Sequence, residues 1–178
     1  MTLASSSPCG PDSTPITGAW RIDAEQSHAR FVAATLRGAA KVRGAFDPPS
    51  GSLMVDAEGA NGTLAIDAAS VDTGNRLRDR HLRGRDFFGA AKHPHLRYQL
   101  RSLTHGADDA VQLDGDLVVA GTRTPLPLVA AIRLREDGGA EIACRVRVDR
   151  VELGLRGARL LVPREVELDV AVVLRRGE

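Results

Sequence analysis

This sequence predicts an all-β fold: a closed antiparallel barrel of about eight strands with a short helical insertion. Three observations carry that expectation. Segments of apolar/polar alternation recur along the chain, the pattern of strands with one buried and one wet face. Turn residues separate those segments at short intervals. One stretch, Val71 to Pro94, breaks the alternation and places Arg76, Arg78, Arg80, Arg83 and Arg85 within ten residues. A long run of such strands must close on itself or pair as a sandwich, because an open edge leaves backbone donors and acceptors unpaired. Periodicity alone does not choose between the two. Gly44 and Gly115 fall inside strand patterns, where a barrel needs bends, and they favour the barrel.

The elements follow in order. Ser, Pro and Thr dominate the residues from Met1 to about Thr17, which predicts a disordered tail and a barrel domain over 18–178. Ala19 to Asp23 and Ala29 to Thr35 are two strands, the second with Ala29, Phe31 and Ala33 on one face. Val42, Gly44 and Phe46 form the next, ended by Pro48-Pro49 and a turn at Ser50-Gly51. Leu53 and Val55 share a face, Asn61-Gly62 signals a two-residue hairpin turn, and Leu64 and Ile66 follow. Beyond the arginine-rich stretch, Leu96, Tyr98 and Leu100 alternate, then Val111 to Val119 in steps of two. A turn at Gly121-Thr122 leads to Leu126, Leu128, Ala130 and Ile132, with Pro125 and Pro127 at a strand start or edge, where the ladder tolerates them. Gly138-Gly139 opens Ile142, Cys144, Val146 and Val148. The last strand runs from Val166 through Leu168, Val170 and Val172 to Leu174.

Within the interruption, Asn75 is a helix N-cap, and Asp79 stands four residues before Arg83 in the favourable order for an ion pair. Phe87 and Phe88 close it as an aromatic plug. Adjacent residues diverge, so one of the two is expected to face the interior and the other to anchor the wall. Pro94 ends any helix.

With 178 residues the chain is long enough to bury a core, and its 24 basic and 23 acidic residues nearly cancel. That balance argues against nucleic acid or an anionic membrane as an obligate partner. Cys9 and Cys144 are far apart, which fits a reducing compartment, and no apolar run is long enough for a signal peptide or a bilayer span. The expected location is the cytoplasm, without a stable membrane anchor and with a homodimer left open.

The interior carries the functional signal. Phe31, Phe46, Phe87, Phe88 and Tyr98 are its large side chains, Leu117 sits at an inward strand position, and alanines and valines supply the rest, so the barrel is under-filled or simply packed. The arginines pair locally with Asp79 and Asp86, or contact an anionic head group, for which Arg80 and Arg83 are the candidates. His81, His93 and His95 are the one hint of a metal, and no Glu or Cys stands at ligand spacing, so neither metal nor cofactor is expected. An enzyme would have to recruit His81, Asp79 or Tyr98 as acid or base, and the chain carries no nucleophile elbow, P-loop or dinucleotide fingerprint.

Several of these stretches resemble the YceI-like, lipid-binding, lipocalin-like domains. Ser70-Val71-Asp72-Thr73-Gly74-Asn75, Arg78-Asp79-Arg80-His81-Leu82 and Asp86-Phe87-Phe88 look like that family's central signature. Trp20-Arg21-Ile22-Asp23, Val42 to Phe46, Gly115 to Thr122 and Asp149 to Gly154 extend the likeness from about Gly18 to the C-terminus. Gly84, Gly89 and His93 depart from the usual pattern. The resemblance implies a lipocalin-like barrel that holds an amphipathic, lipid-like molecule of isoprenoid, quinone or fatty-acid type and does no chemistry on it. A structural or partner-binding barrel with a packed core is the alternative.

Overall fold

The computed structural model describes residues 16–34, 40–157 and 163–177. Among the described residues, ten strands and one α-helix follow one another. They are β1 (Gly18–Ala34), β2 (Lys41–Phe46), β3 (Ser50–Asp56), β4 (Gly59–Asp67), α1 (Arg76–Arg83), β5 (His95–His105), β6 (Ala110–Val119), β7 (Thr122–Pro125), β8 (Leu128–Leu134), β9 (Ala140–Asp149) and β10 (Glu165–Arg176). Eight of them close a ring in the order β1-β3-β4-β5-β6-β8-β9-β10, and β10 pairs back onto β1. Every pairing in the ring is antiparallel.

The two remaining strands explain the shape. β1 is one 17-residue strand rather than the two expected, because a bulge between Asp23 and His28 bends it without breaking it. Ser27 stabilises the bend: its hydroxyl donates to the Asp23 carbonyl at 2.6 Å and accepts the Val173 N–H at 3.0 Å. The first half of β1 pairs with β3 and the second half with β2. β6 does the same, pairing with β8 and then with β7. Leu126 and Pro127 separate β7 from β8, so a short additional strand precedes the one expected from Leu126 to Ile132. At one end of the barrel, then, β2 and β7 are extra flaps whose outer edges need covering.

Three turns fall away from their expected places. The β3–β4 hairpin turns at Ala57–Glu58, not Asn61-Gly62, with the Asp56 carboxylate accepting the N–H groups of Glu58 and Gly59 at 2.9 and 3.1 Å. Asn61 and Gly62 pair with Met54 and Leu53 inside the ladder, and Ser50-Gly51 opens β3. The β6–β7 turn sits at Ala120–Gly121, both with positive φ (48° and 78°), the conformation of a tight primed hairpin.

The end away from α1 is shut by Trp20, which is buried and donates its indole N–H to the Ile16 carbonyl at 3.0 Å. Arg176 lies over the indole, 4.8 Å from its centroid. Ile16 is fully buried there and Thr17 is exposed, while residues 1–15 of the expected tail lie outside the described residues. Inward positions match the alternation of the sequence, with Leu53, Val55, Val111, Ile132, Ile142 and Leu174 among the core around Trp20.

Candidate functional site

The connection from β4 to β5 builds the other end. A 3-10 turn over Ala68–Ser70 leads into an extended piece whose Asp72 bridges to Ala45 of β2 through two backbone hydrogen bonds of 2.9 Å. That bridge covers the outer edge of β2. On the far side, the loop after β9 covers β7, where Thr124 donates its hydroxyl to the Glu152 carbonyl at 3.3 Å.

α1 starts where Asn75 accepts the N–H groups of Leu77 and Arg78 at 3.1 and 3.0 Å, the expected N-cap. Asp79 does not use Arg83. It is 5% exposed and accepts from Thr73 twice, from the N–H at 3.0 Å and from the hydroxyl at 2.6 Å. The Thr73 oxygen in turn accepts from Arg78 Nε at 2.7 Å, and a second Arg78 nitrogen donates to the Thr73 carbonyl at 3.0 Å. Arg83 donates to the Val71 carbonyl at 2.8 Å. These bonds latch the helix to the strand-like segment before it, and the helix then presents Leu82 and Arg78 inward.

Under α1 lies a chamber of about 100 Å³, edged by Phe31, Phe46, Phe87, Phe88, Leu96 and Leu117 among others. It continues along the barrel axis into a second chamber of about 160 Å³, with Phe46, Leu96, Leu117 and Leu168 lining both. A third, of about 90 Å³, shares Leu64, Tyr98, Leu113, Ile142 and Val172 with the second and reaches Leu53 and Leu174 near the Trp20 end. The interior is therefore a segmented apolar tunnel. Tyr98 is a polar side chain at its middle, in a chamber that Arg30 also edges, and its hydroxyl donates to the Leu126 carbonyl at 3.0 Å. Burial, reinforced by the Asp114 carboxylate, pushes the Tyr98 phenol up to about 12. Burial likewise raises the Cys144 thiol in the second chamber. Both groups stay protonated near neutral pH.

Six of the eight residues singled out from the sequence line this tunnel: Phe31, Phe46, Phe87, Phe88, Tyr98 and Leu117. Phe87 and Phe88 do not divide their roles. Both are 7% exposed, both line the first chamber, and their rings meet edge to face with centroids 4.9 Å apart. They occupy a turn, where the Phe88 N–H reaches back to the Leu82 carbonyl, and the two-faced alternation of a strand does not apply. Phe46 meets Phe88 edge-on in turn, with centroids 5.7 Å apart.

Arg80 and Arg83 do not line the chambers; Arg80 is exposed on the outer side of α1, and Arg83 turns along the helix to the Val71 carbonyl. The cations at the first chamber are Arg78 and Arg150. Arg150 is 2% exposed, donates to the carbonyls of Pro163 (2.9 Å), Gly157 (3.0 Å) and Leu155, and lies 6.0 Å from the Phe87 ring centroid. Its neighbour Asp149 pairs with Arg164 at 2.6 Å. Both chamber arginines have a signal in the sequence. Arg78 stands four residues before Leu82 on a helix, and Arg150 continues the inward parity of Val146 and Val148.

A family model described as the YceI-like domain matches residues 20–174. Protein YceI from Escherichia coli strain UMN026 is 31% identical over 118 residues, covering 64% of this chain and 61% of that protein. A UPF0312 protein from Ectopseudomonas mendocina is 29% identical over 90 residues, covering 49% of this chain and 47% of its own length. The matched segments thus span less than two thirds of these relatives. Among solved structures, BcnA from Burkholderia cenocepacia superposes with a TM-score of 0.76 at 17% identity, over 85% of this chain and 98% of that one. A polyisoprenoid binding domain from Saccharophagus degradans gives 0.75 at 18% identity, over 89% and 98%.

Proposed function

The chain belongs to the YceI-like family, and we propose that it binds an amphipathic, isoprenoid-type lipid, tail down the tunnel and polar end at the α1 end. The observation that carries this reading is the series of apolar chambers running from Phe88 past Tyr98 towards Trp20. A cavity of about 150 Å³ accommodates a benzene-sized molecule, so each chamber holds roughly four to six carbon atoms. The tunnel thus takes about three isoprene units, each worth roughly 3 to 4 kcal/mol of burial before ordering costs. Affinity follows from burial alone, without any strong polar contact.

Arg78, at the edge of the first chamber, is the group we assign to the polar end, since a guanidinium fork matches phosphate or carboxylate oxygens, while Arg150 is already taken up by backbone carbonyls. The similar Saccharophagus protein is a polyisoprenoid binding domain, which supports the ligand class. Tyr98 held protonated and engaged with Leu126 supports carriage rather than catalysis. The same reading retains the cytoplasm as the place of action, on the near-neutral charge and sparse cysteines of the chain.

The test is native mass spectrometry of the purified protein with organic extraction, followed by uptake of a fifteen-carbon alcohol and the corresponding phosphate (three isoprene units, about the tunnel's capacity). Bound lipid is expected, with Leu117→Trp blocking uptake while the protein stays folded. Arg78→Gln is expected to weaken the phosphate against the alcohol. A protein that yields no lipid and takes up neither compound overturns the proposal.

A further inference from the structure

α1 has a second face that the tunnel does not use. Arg76, Leu77, Arg80 and His81 point outward, and Leu77 is 77% exposed, more than Met54, Val129 or Leu134, the other exposed large apolar side chains among the described residues. Leu77, Arg80, His81, Gly84 and Asp86 outline a shallow hollow of about 250 Å³. The charge here is lopsided. Between Arg76 and Lys92 stand six cations and two carboxylates, in a chain whose formal net charge is only +1. Asp79 and Arg78 are both turned inward onto Thr73 and Arg83 is engaged with the Val71 carbonyl, which leaves Arg76, Arg80, Arg85 and Lys92 against Asp86 on the exposed side.

From this we infer that the outer face of α1 is a docking surface for an anionic lipid bilayer. One exposed leucine flanked by arginines offers in small the two contacts of a helix at a membrane interface, an apolar side chain for the head-group layer and cations for the phosphates. An acidic protein would satisfy the charges but gives no account of Leu77. The bilayer satisfies both, and the face adjoins the chamber edged by Phe87 and Phe88 from the other side of the same helix. Docking here sets the α1 end of the barrel against the membrane from which a lipid cargo comes. That last step rests on the lipid-binding reading; the docking itself does not. Each arginine near an anionic surface contributes about a five-fold factor in affinity, so a helix this short binds reversibly.

The test is co-sedimentation of the full chain with vesicles of phosphatidylcholine alone and of phosphatidylcholine with phosphatidylglycerol, none containing isoprenoid. Binding is expected only with phosphatidylglycerol and is expected to weaken with added salt. Arg76→Gln with Arg80→Gln is expected to lower it about 25-fold, two such factors, without changing the melting temperature. Leu77→Ser is expected to lower it about ten-fold, and low salt should not restore that loss. Equal binding to both vesicle types, wild-type binding by the double variant, or retention on a polyglutamate resin without vesicle binding each overturn the inference. Failure of the carrier reading looks different: vesicle binding persists while the purified protein neither carries nor takes up lipid.

Discussion

Two aromatic rings rest on two glycines in the wall of the tunnel. Phe31 on β1 pairs across the ladder with Gly44 on β2, and a Cβ on Gly44 would come within 2.2 to 2.9 Å of the Phe31 ring. Tyr98 covers Gly115 in the same way, at 2.7 to 2.8 Å. The missing side chain is what lets each ring lie flat against the sheet and leaves the space beside it empty. Gly44→Ala is therefore expected to push Phe31 towards the first chamber, costing about 1 to 3 kcal/mol and reducing lipid uptake. Thermal unfolding and uptake of a fluorescent lipid read the two effects; unchanged values of both would show that Phe31 does not shape the chamber. At this scale the sequence is legible wherever a residue obeys the parity of its element. Phe31, Phe46, Tyr98 and Leu117 sit at alternating strand positions, and their inward direction follows from that alone. Charge points to Arg80 and Arg83, while helical spacing from Leu82 selects Arg78.

The elements show where local signals lose to tertiary ones. Asn61-Gly62 has the dihedral preferences of a hairpin turn, yet a turn there would have carried Ala60 out of the core, where it is 3% exposed. The chain turns instead at Ala57–Glu58, where Asp56 can hold the N–H groups. β1 stays whole because both its halves have a continuous partner in β10, a long-range fact that no window of sequence displays. α1 depends more on its surroundings. Eight residues are too few to be helical alone, so its cap and its latch to Thr73 carry it. Asn75→Ala is expected to cost about 1 kcal/mol. Hydrogen exchange should show the loss at Leu77 and Arg78 and leave the ladder amides of β5 protected. Equal loosening of β5 would mean that the helix and the barrel wall unfold together.

Across the whole molecule, closure is reinforced by surface ion pairs that cross its seams. Asp23 on β1 meets Arg175 on β10, Asp149 on β9 meets Arg164 just before β10, and Asp116 on β6 takes Arg101 from β5 at 2.5 Å and Arg123 from β7 at 3.1 Å. In each case the hydrogen bond from the arginine is the first cause that holds the carboxyl below the usual carboxylate range. Asp137 is held low as well, first by the Gly139 N–H and then by Arg135. A carboxyl whose folded value lies below its unfolded one contributes stability that is fully present above the ordinary range, about pH 4. That contribution is lost as pH falls through the lowered folded value. Asp116 is buried and Asp23 and Asp149 are partly covered, but the arginines that meet them are about half exposed or more, so each effect is small and screened by salt. What distinguishes them is their placement, at junctions the ring needs in order to close. The expected outcome is a urea midpoint that is level near neutral pH and declines as pH falls from about 5 to 2. A variant combining Asp23→Asn, Asp116→Asn and Asp149→Asn should start lower, decline less, and meet the wild-type curve at the acid end. Two curves falling in parallel would place the acid sensitivity elsewhere in the barrel, and closure would then rest on the ladder hydrogen bonds and the packed interior alone.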